Sequence, residues 1–223
     1  MRLNTRCVQF ATKYSMNLLQ TKPFTLAERR KASEKLAVQI TPNCDYYFLV
    51  IGAVGLALGG LFLDSSVVLI GAMIVAPLAY PILGLGLGAA TRSTKLFLHA
   101  LLLLFVSLIV AIVLAYIGTL TFGIVRIDPV SISFMAHPIL DFVIAFIAGA
   151  LAAYGLVRPR VGGAMTGIGI AVSLMPPLVA TGAYVADGLL SSAFQALLIF
   201  AMNVLGIFLA STLVFIVLRV PED

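Results

Sequence analysis

The 223-residue chain has no tryptophan, two cysteines, two histidines and charged side chains at only 10% of its positions. Each scarcity removes a class of function. A soluble domain carries about 25% charged residues. A chain that is 61% hydrophobic, with mean hydropathy +1.13, therefore holds more apolar surface than one core can bury. Cys7 and Cys44 form no CxxC, and His99 and His137 fall toward opposite faces of the expected membrane. The spacing thus assembles no metal site and calls for no cofactor. GxSG serines, GxGD aspartates and HExxH are all missing, so an enzyme is not expected. No Asp, Glu, Lys or Arg falls at the middle of an apolar run. Proton pumps and exchangers usually keep such a group there, which argues against proton-coupled antiport.

What is present is length of apolar sequence. Charge-free runs cover residues 46–63, 65–91, 96–125, 142–157, 161–186 and 188–218. A helix crosses the hydrocarbon layer with about 20 apolar residues, so six spans are expected in an all-α integral membrane protein. The net charge of +5 invites a nucleic-acid reading, but the basic residues are clustered before and between the runs. With the N-terminus in the cytoplasm, thirteen of the fourteen Lys and Arg side chains fall inside and only Arg126 outside. Asp64, Asp128 and Asp187 fall outside. The expected partner of the basic residues is therefore an anionic inner leaflet, not nucleic acid. A bacterial inner or plasma membrane fits best; the acid-free stretch 1–27, which resembles a transit peptide, keeps an organelle membrane as the alternative.

Residues 1–45 read as a basic cytoplasmic or interfacial segment and residues 46–220 as the transmembrane domain. Leu3, Cys7, Phe10, Tyr14 and Leu18 recur at helical spacing. "TLAE" at 25–28 matches a capping box, opening a helix that runs to about Val38 with Leu26, Leu36 and Ile40 toward the membrane. Pro42 ends it, and Asp45 is expected to cap the first span. The tyrosines 46, 47, 116, 154 and 184 fall near span ends, as an aromatic belt would. Tyr80 alone is expected at depth.

The runs repeat as a pattern. "DSSVVLIGAMIVAP" at 64–77 and "GAMTGIGIAVSLMP" at 163–176 each reach a proline thirteen residues on. Each adds a second proline soon after, Pro81 and Pro177. A shorter run precedes each broken one and a long run follows. Three spans per half, an odd number, make 46–122 and 139–218 a 3+3 inverted repeat with a proline-broken second and fifth helix, a design frequent in transporters.

"IGAMIVAPLAYPILG", followed about a hundred residues later by "GIAVSLMPPLVATG" and then "MNVLGIFLA", resembles the hydrophobic membrane family known as domain of unknown function 389. The resemblance covers residues 46–218 and implies an integral membrane protein without an assigned substrate. The chain departs from it at Ser66, where members often carry proline.

Proline lacks the N–H that a helix ladder needs. Pro77 strips the Met73 carbonyl of its partner, and Pro81, Pro176 and Pro177 do the same for Pro77, Val172 and Ser173. In lipid, such irregular backbone survives inside protein or beside a water-filled cavity. The expected solute site therefore comprises Met73, Pro77, Tyr80, Pro81, Val172, Ser173, Pro176, Pro177 and Asn203, near the bilayer midplane. Freed carbonyls favour a cation and helix N-termini an anion, so a transporter or channel for a small ion or polar solute is the leading reading. A membrane scaffold or sensor acting through the basic N-terminal segment is the alternative. The GxxxG pairs Gly55/Gly59, Gly84/Gly88 and Gly163/Gly167 predict close helix packing and a homo-oligomer, and "GLGLG" at 84–88 reads as packing, not as a nucleotide loop.

Overall fold

The computed structural model describes residues 26–122, 138–158 and 174–221. Outside them lie the helical pattern of residues 3–18, the Thr25 cap, Arg126, the Gly163/Gly167 pair and the first part of the second broken run. The described residues form eight helices and no strand: α1 (Leu26–Gln39), α2 (Cys44–Phe62), α3 (Ser66–Val75), α4 (Ala79–Thr91), α5 (Thr94–Phe122), α6 (Pro138–Val157), α7 (Met175–Ala186) and α8 (Leu190–Leu218). Four of them, α2, α5, α6 and α8, are long and apolar enough to cross a membrane, and α3 with α4 forms an apolar pair bent by 49° at its break, with the length of either a broken span or a re-entrant loop. The protein is thus an all-helical membrane protein. Of the expected fifth span, residues 161–186, only the part from Leu174 onward is described.

The helix boundaries have local causes. Asn43, in extended backbone at φ −138°, caps α2 by accepting the Tyr46 N–H at 2.7 Å. Asp45, the expected cap, instead sits in the first turn, where its charge suits the positive end of the helix dipole. α3 stops because Ala76 precedes a proline and is driven to extended backbone, ψ 124°. α2, α4 and α8 end through Asp64, Arg92 and Arg219 in the left-handed region, and the turn after α7 uses Gly188. Each turn returns a backbone N–H to the helix it leaves, as from Ser93 to Gly88 and from Val220 to Phe215.

α1 corrects one expectation. Leu36 and Ile40 do not face lipid; they are buried against the bundle, with Ile40 beside Gly84 of α4. Helical spacing shows which residues share a face but not what covers it. Leu26 and Val38 remain exposed. At this end the guanidinium of Arg29 donates to the Arg219 carbonyl at 3.4 Å. The α4–α5 turn carries Arg92 and the first turn of α5 Lys95, so Arg29, Arg30, Lys31, Lys35, Arg92, Lys95 and Arg219 gather at one end of the bundle. Asp64 and Asp187 lie in turns at the other end, and burial pushes the Asp187 carboxyl above its ordinary range.

The packing separates two kinds of helix. Along α5 and α8 a stripe of large side chains faces outward, including Leu102, Phe105, Ile109, Val113 and Ile117 on α5. α4 is buried from Pro81 through Gly88, and α7 from Met175 through Tyr184. Both short helices lie against α5 and α8. Close approach is made by glycine: Gly84 and Gly88 face Ala100 and Phe97 of α5, Gly86 faces Ser211 of α8, and Gly182 faces Ile112 to Tyr116 of α5.

Candidate functional site

The prolines start helices more than they break them. The one described break spans Ala76–Leu78, with Pro77 buried inside it. Pro81 is not a second break, because it stands in the first turn of α4. Pro176 and Pro177 stand in the first turn of α7. First-turn N–H groups have no partner within their own helix, so proline there removes donors that would otherwise be stranded. Neither N-cap residue, Leu78 or Leu174, offers a side-chain hydrogen bond. Proline chemistry is what allows both helix starts to be buried without caps. The expectation of a free Pro77 carbonyl is also corrected: it accepts the Tyr80 N–H at 3.3 Å. The Pro177 carbonyl accepts the Thr181 hydroxyl at 2.8 Å. Val172 and Ser173 lie outside the described residues.

The depth of the two starts can be counted along their shared neighbours, since every helix rises by ~1.5 Å per residue. Gly84 opposite Ala100 and Gly88 opposite Phe97 put the start of α4 level with Phe105 to Val106 of α5. Gly182 opposite Ile112 to Tyr116 puts the start of α7 level with Ser107. On α8, Gly86 beside Ser211 puts the start of α4 at Val204. Ala183 and Tyr184, clustered with Ala193 and Ala196, put the start of α7 between Met202 and Leu205. Both helix starts therefore share one level, and α4 runs from it toward the basic end while α7 runs toward the other. Seen from the far end, α3 has ten residues and α7 twelve, about 15–18 Å at that rise, roughly half of a ~30 Å hydrocarbon layer.

Asn203 stands at this level and is buried at 3% exposure. Met73 and Pro77 are buried, and Tyr80 is half-buried against the core. Pro77 leaves the Met73 carbonyl without an i+4 N–H, and the last carbonyls of α3 have no further turn to bond.

Sequence reasoning missed Ser107, also at this level. Its hydroxyl donates to the Leu103 carbonyl at 2.6 Å and lies 2.9 Å from the hydroxyl of Tyr46. A lone hydroxyl in the middle of the α5 run was the available signal. Tyr46 and Tyr184 do not belong to an aromatic belt, because both are buried inside the protein. Among the described residues nothing hydrogen-bonds the Tyr184 hydroxyl. No group of His, Cys, Asp and Glu able to hold a metal occurs among the described residues.

The family profile described as "Domain of unknown function (DUF389)" matches residues 73–209, from Met73 through both proline segments to most of α8. The chain belongs to the DUF389 family. An uncharacterized protein of Methanocaldococcus jannaschii is 30% identical over 159 residues, which is 71% of this chain and 49% of that protein. The chain thus spans about half the length of this curated relative. No solved structure matches it. The DUF389 match begins within the last turn of α3, so it takes in the break, both short buried helices and Asn203.

Proposed function

We propose that this DUF389 protein is a transporter or channel, not an enzyme, and that a small ion or polar solute passes at the level where α4 and α7 begin. The observation that carries this reading is a pair of proline-headed helices, buried on all sides and starting at one depth from opposite directions. Discontinuous helices are a recurrent way to bring backbone dipoles to a solute. Pro81, Pro176 and Pro177 delete the N–H groups that would hold an anion. The end-turn carbonyls of α3 and the Asn203 amide remain. A cation or a hydrogen-bond-donating solute is therefore favoured, held by dipoles weak enough to release it. The basic end of the bundle faces the cytoplasm in this reading, with both chain termini there.

The test is flux in liposomes loaded with small cations, small anions or neutral polar solutes. Asn203→Leu should abolish flux while the protein still purifies and runs as the parent does. Pro77→Ala should lower flux by letting α3 and α4 join as one helix. Flux that survives both changes, or no flux for any solute class, overturns the proposal.

A further inference from the structure

We propose that a cleft at the basic end of the bundle binds an anionic phosphate group, far from the level where α4 and α7 begin. The cleft has a volume of about 390 Å³ and lies between α1 and the α4–α5 turn. That volume falls within the ~300–1,000 Å³ range of small-molecule sites. Ser33 and Thr41 line it from the α1 side, and Ser93, Lys95 and His99 from the α5 side. Ile40 and Leu96 add apolar wall.

Charge selects the ligand. The lining holds one ammonium, one imidazole and three hydroxyls, and no carboxylate; the Thr41 hydroxyl donates to the Ala37 carbonyl at 3.1 Å, which leaves Ser33, Ser93, Lys95 and His99 as the donors toward a ligand. Glu34, next to Ser33 in the chain, is paired with Arg30 at 3.2 Å, and both of those side chains are mostly exposed to solvent. Nδ1 of His99 lies 2.8 Å from the Lys95 carbonyl. In the protonated ring Nδ1 donates there and Nε2 is left to donate to a ligand. Ser93 begins α5, its carbonyl accepting the Phe97 N–H at 3.0 Å, so the positive end of a 29-residue helix adds to the charge. Phosphate is the anion this donor set suits, because it takes several hydrogen bonds at once and its bonds to cationic donors are the strong, charge-assisted kind.

Lys95 lies ten to twelve residues along α5 from the level of the helix starts and His99 six to eight, or about 15–18 Å and about 9–12 Å, so this site is separate from the proposed passage. It is also more than a diffuse attraction of basic side chains for a charged leaflet, because it predicts saturation and a specific residue dependence. A phosphate meeting these groups comes either from a lipid headgroup, with its chains along the exposed face of Leu98, Leu101 and Leu102, or from a soluble compound.

The experiment measures binding of a short-chain phosphatidylglycerol and, separately, of inorganic phosphate to the full chain in neutral detergent. The variants are the double change Lys95→Gln/His99→Gln, the conservative Lys95→Arg, and Arg92→Gln as a nearby cation that does not line the cleft. Saturable phosphatidylglycerol binding, weakened at least about tenfold in the double variant, held in Lys95→Arg and changed by no more than about twofold in Arg92→Gln, supports the site with a lipid source. The same pattern with inorganic phosphate binding as tightly supports it with a soluble source. Absence of saturable binding by either probe, or equal losses in Arg92→Gln and the double variant, overturns it.

Discussion

α4 and α7 solve one problem with different side chains. Both are short, uncharged and headed by proline, and both lie between the 29-residue helices α5 and α8. α4 presses backbone against both neighbours. Gly84 and Gly88, one turn apart, meet α5, and Gly86, about 200° around the helix from Gly84 at 3.6 residues per turn, meets α8. α7 does this on one side only: Gly182 meets α5, whereas toward α8 it presents Ala183 and Tyr184 to Ala193 and Ala196. Lipid is as apolar as the helix surfaces, so association inside it rests on close packing. The pair shows that the depth at which a helix starts and the way it packs are set by separate residues, the prolines and the small side chains.

The sharpest test of that comparison compares one glycine from each helix. A Cβ on Gly182 would stand 2.5 Å from the Ile112 carbonyl oxygen and 2.6 Å from the Ala115 Cβ, both fixed by the backbone of α5. A Cβ on Gly86 would press first on the Ser211 hydroxyl, which can rotate away. Gly182→Ala should therefore cost about 3 kcal/mol and Gly86→Ala about 1 kcal/mol, read as thermal aggregation in mild detergent. Equal losses would show that the two contacts are equally rigid and would dissolve the contrast.

The glycines show how much could be read in advance. "GLGLG" was legible as packing, but the opposite duties of Gly84 and Gly86 depend on which helices flank α4, and nothing local encodes that. The membrane class and the position of the first break were legible from the apolar runs and Pro77. That Pro81, Pro176 and Pro177 head helices was not, because proline suits the first turn as well as it ends a ladder. Asn203 drew attention by standing mid-run, whereas Ser107, equally central on α5, gains its meaning from the Tyr46 hydroxyl across the bundle. Tyr184 was placed near the right helix end, but its burial comes from the alanines of α8 and from Leu61.

Next in size are two buried tyrosines that differ in their partners. Tyr46→Phe removes a hydroxyl that meets Ser107 at 2.9 Å and should destabilise by about 1 kcal/mol. Tyr184→Phe removes a buried hydroxyl that has no partner among the described residues, and should stabilise by about 1 kcal/mol. Thermal stability of the two variants in one detergent gives the signs. A loss in Tyr184→Phe would mean that a group beyond the described residues, or trapped water or solute, satisfies the phenol.

A third test contrasts glycines that are used with glycines that are not. Gly84 and Gly88 are spent against α5, whereas among the described residues nothing lies within 4 Å of a Cβ added at Gly52, Gly55 or Gly59 of α2. If the homo-oligomer expected from these motifs forms through α2, Gly55→Leu should leave the stability of the chain within about 0.5 kcal/mol and separate the subunits. Light scattering after gel filtration in mild detergent reads both states. A parent protein that is monomeric, or a variant that stays assembled, removes α2 from the interface.

The smallest effect returns to proline as a way to begin a helix. α3 starts at Ser66, the position where family resemblance leads one to expect proline, and Ser65 before it is extended at φ −108°, ψ 102°. A residue ahead of proline is confined to that region of backbone, and proline at the first helical position loses no ladder bond. Ser66 is exposed, so the ring meets no packed neighbour. Ser66→Pro should therefore stabilise by about 0.4–1 kcal/mol, chiefly by limiting the unfolded chain. The same substitution at Ile70, exposed but past the first turn of α3, should destabilise by about 3 kcal/mol, because its N–H belongs to the helix ladder. α3 would then obey the rule that α4 and α7 follow, with proline welcome at the first turn and costly beyond it. A stabilising proline at 70, or a destabilising one at 66, would place the start of α3 elsewhere and loosen the count of residues that sets the break at mid-depth.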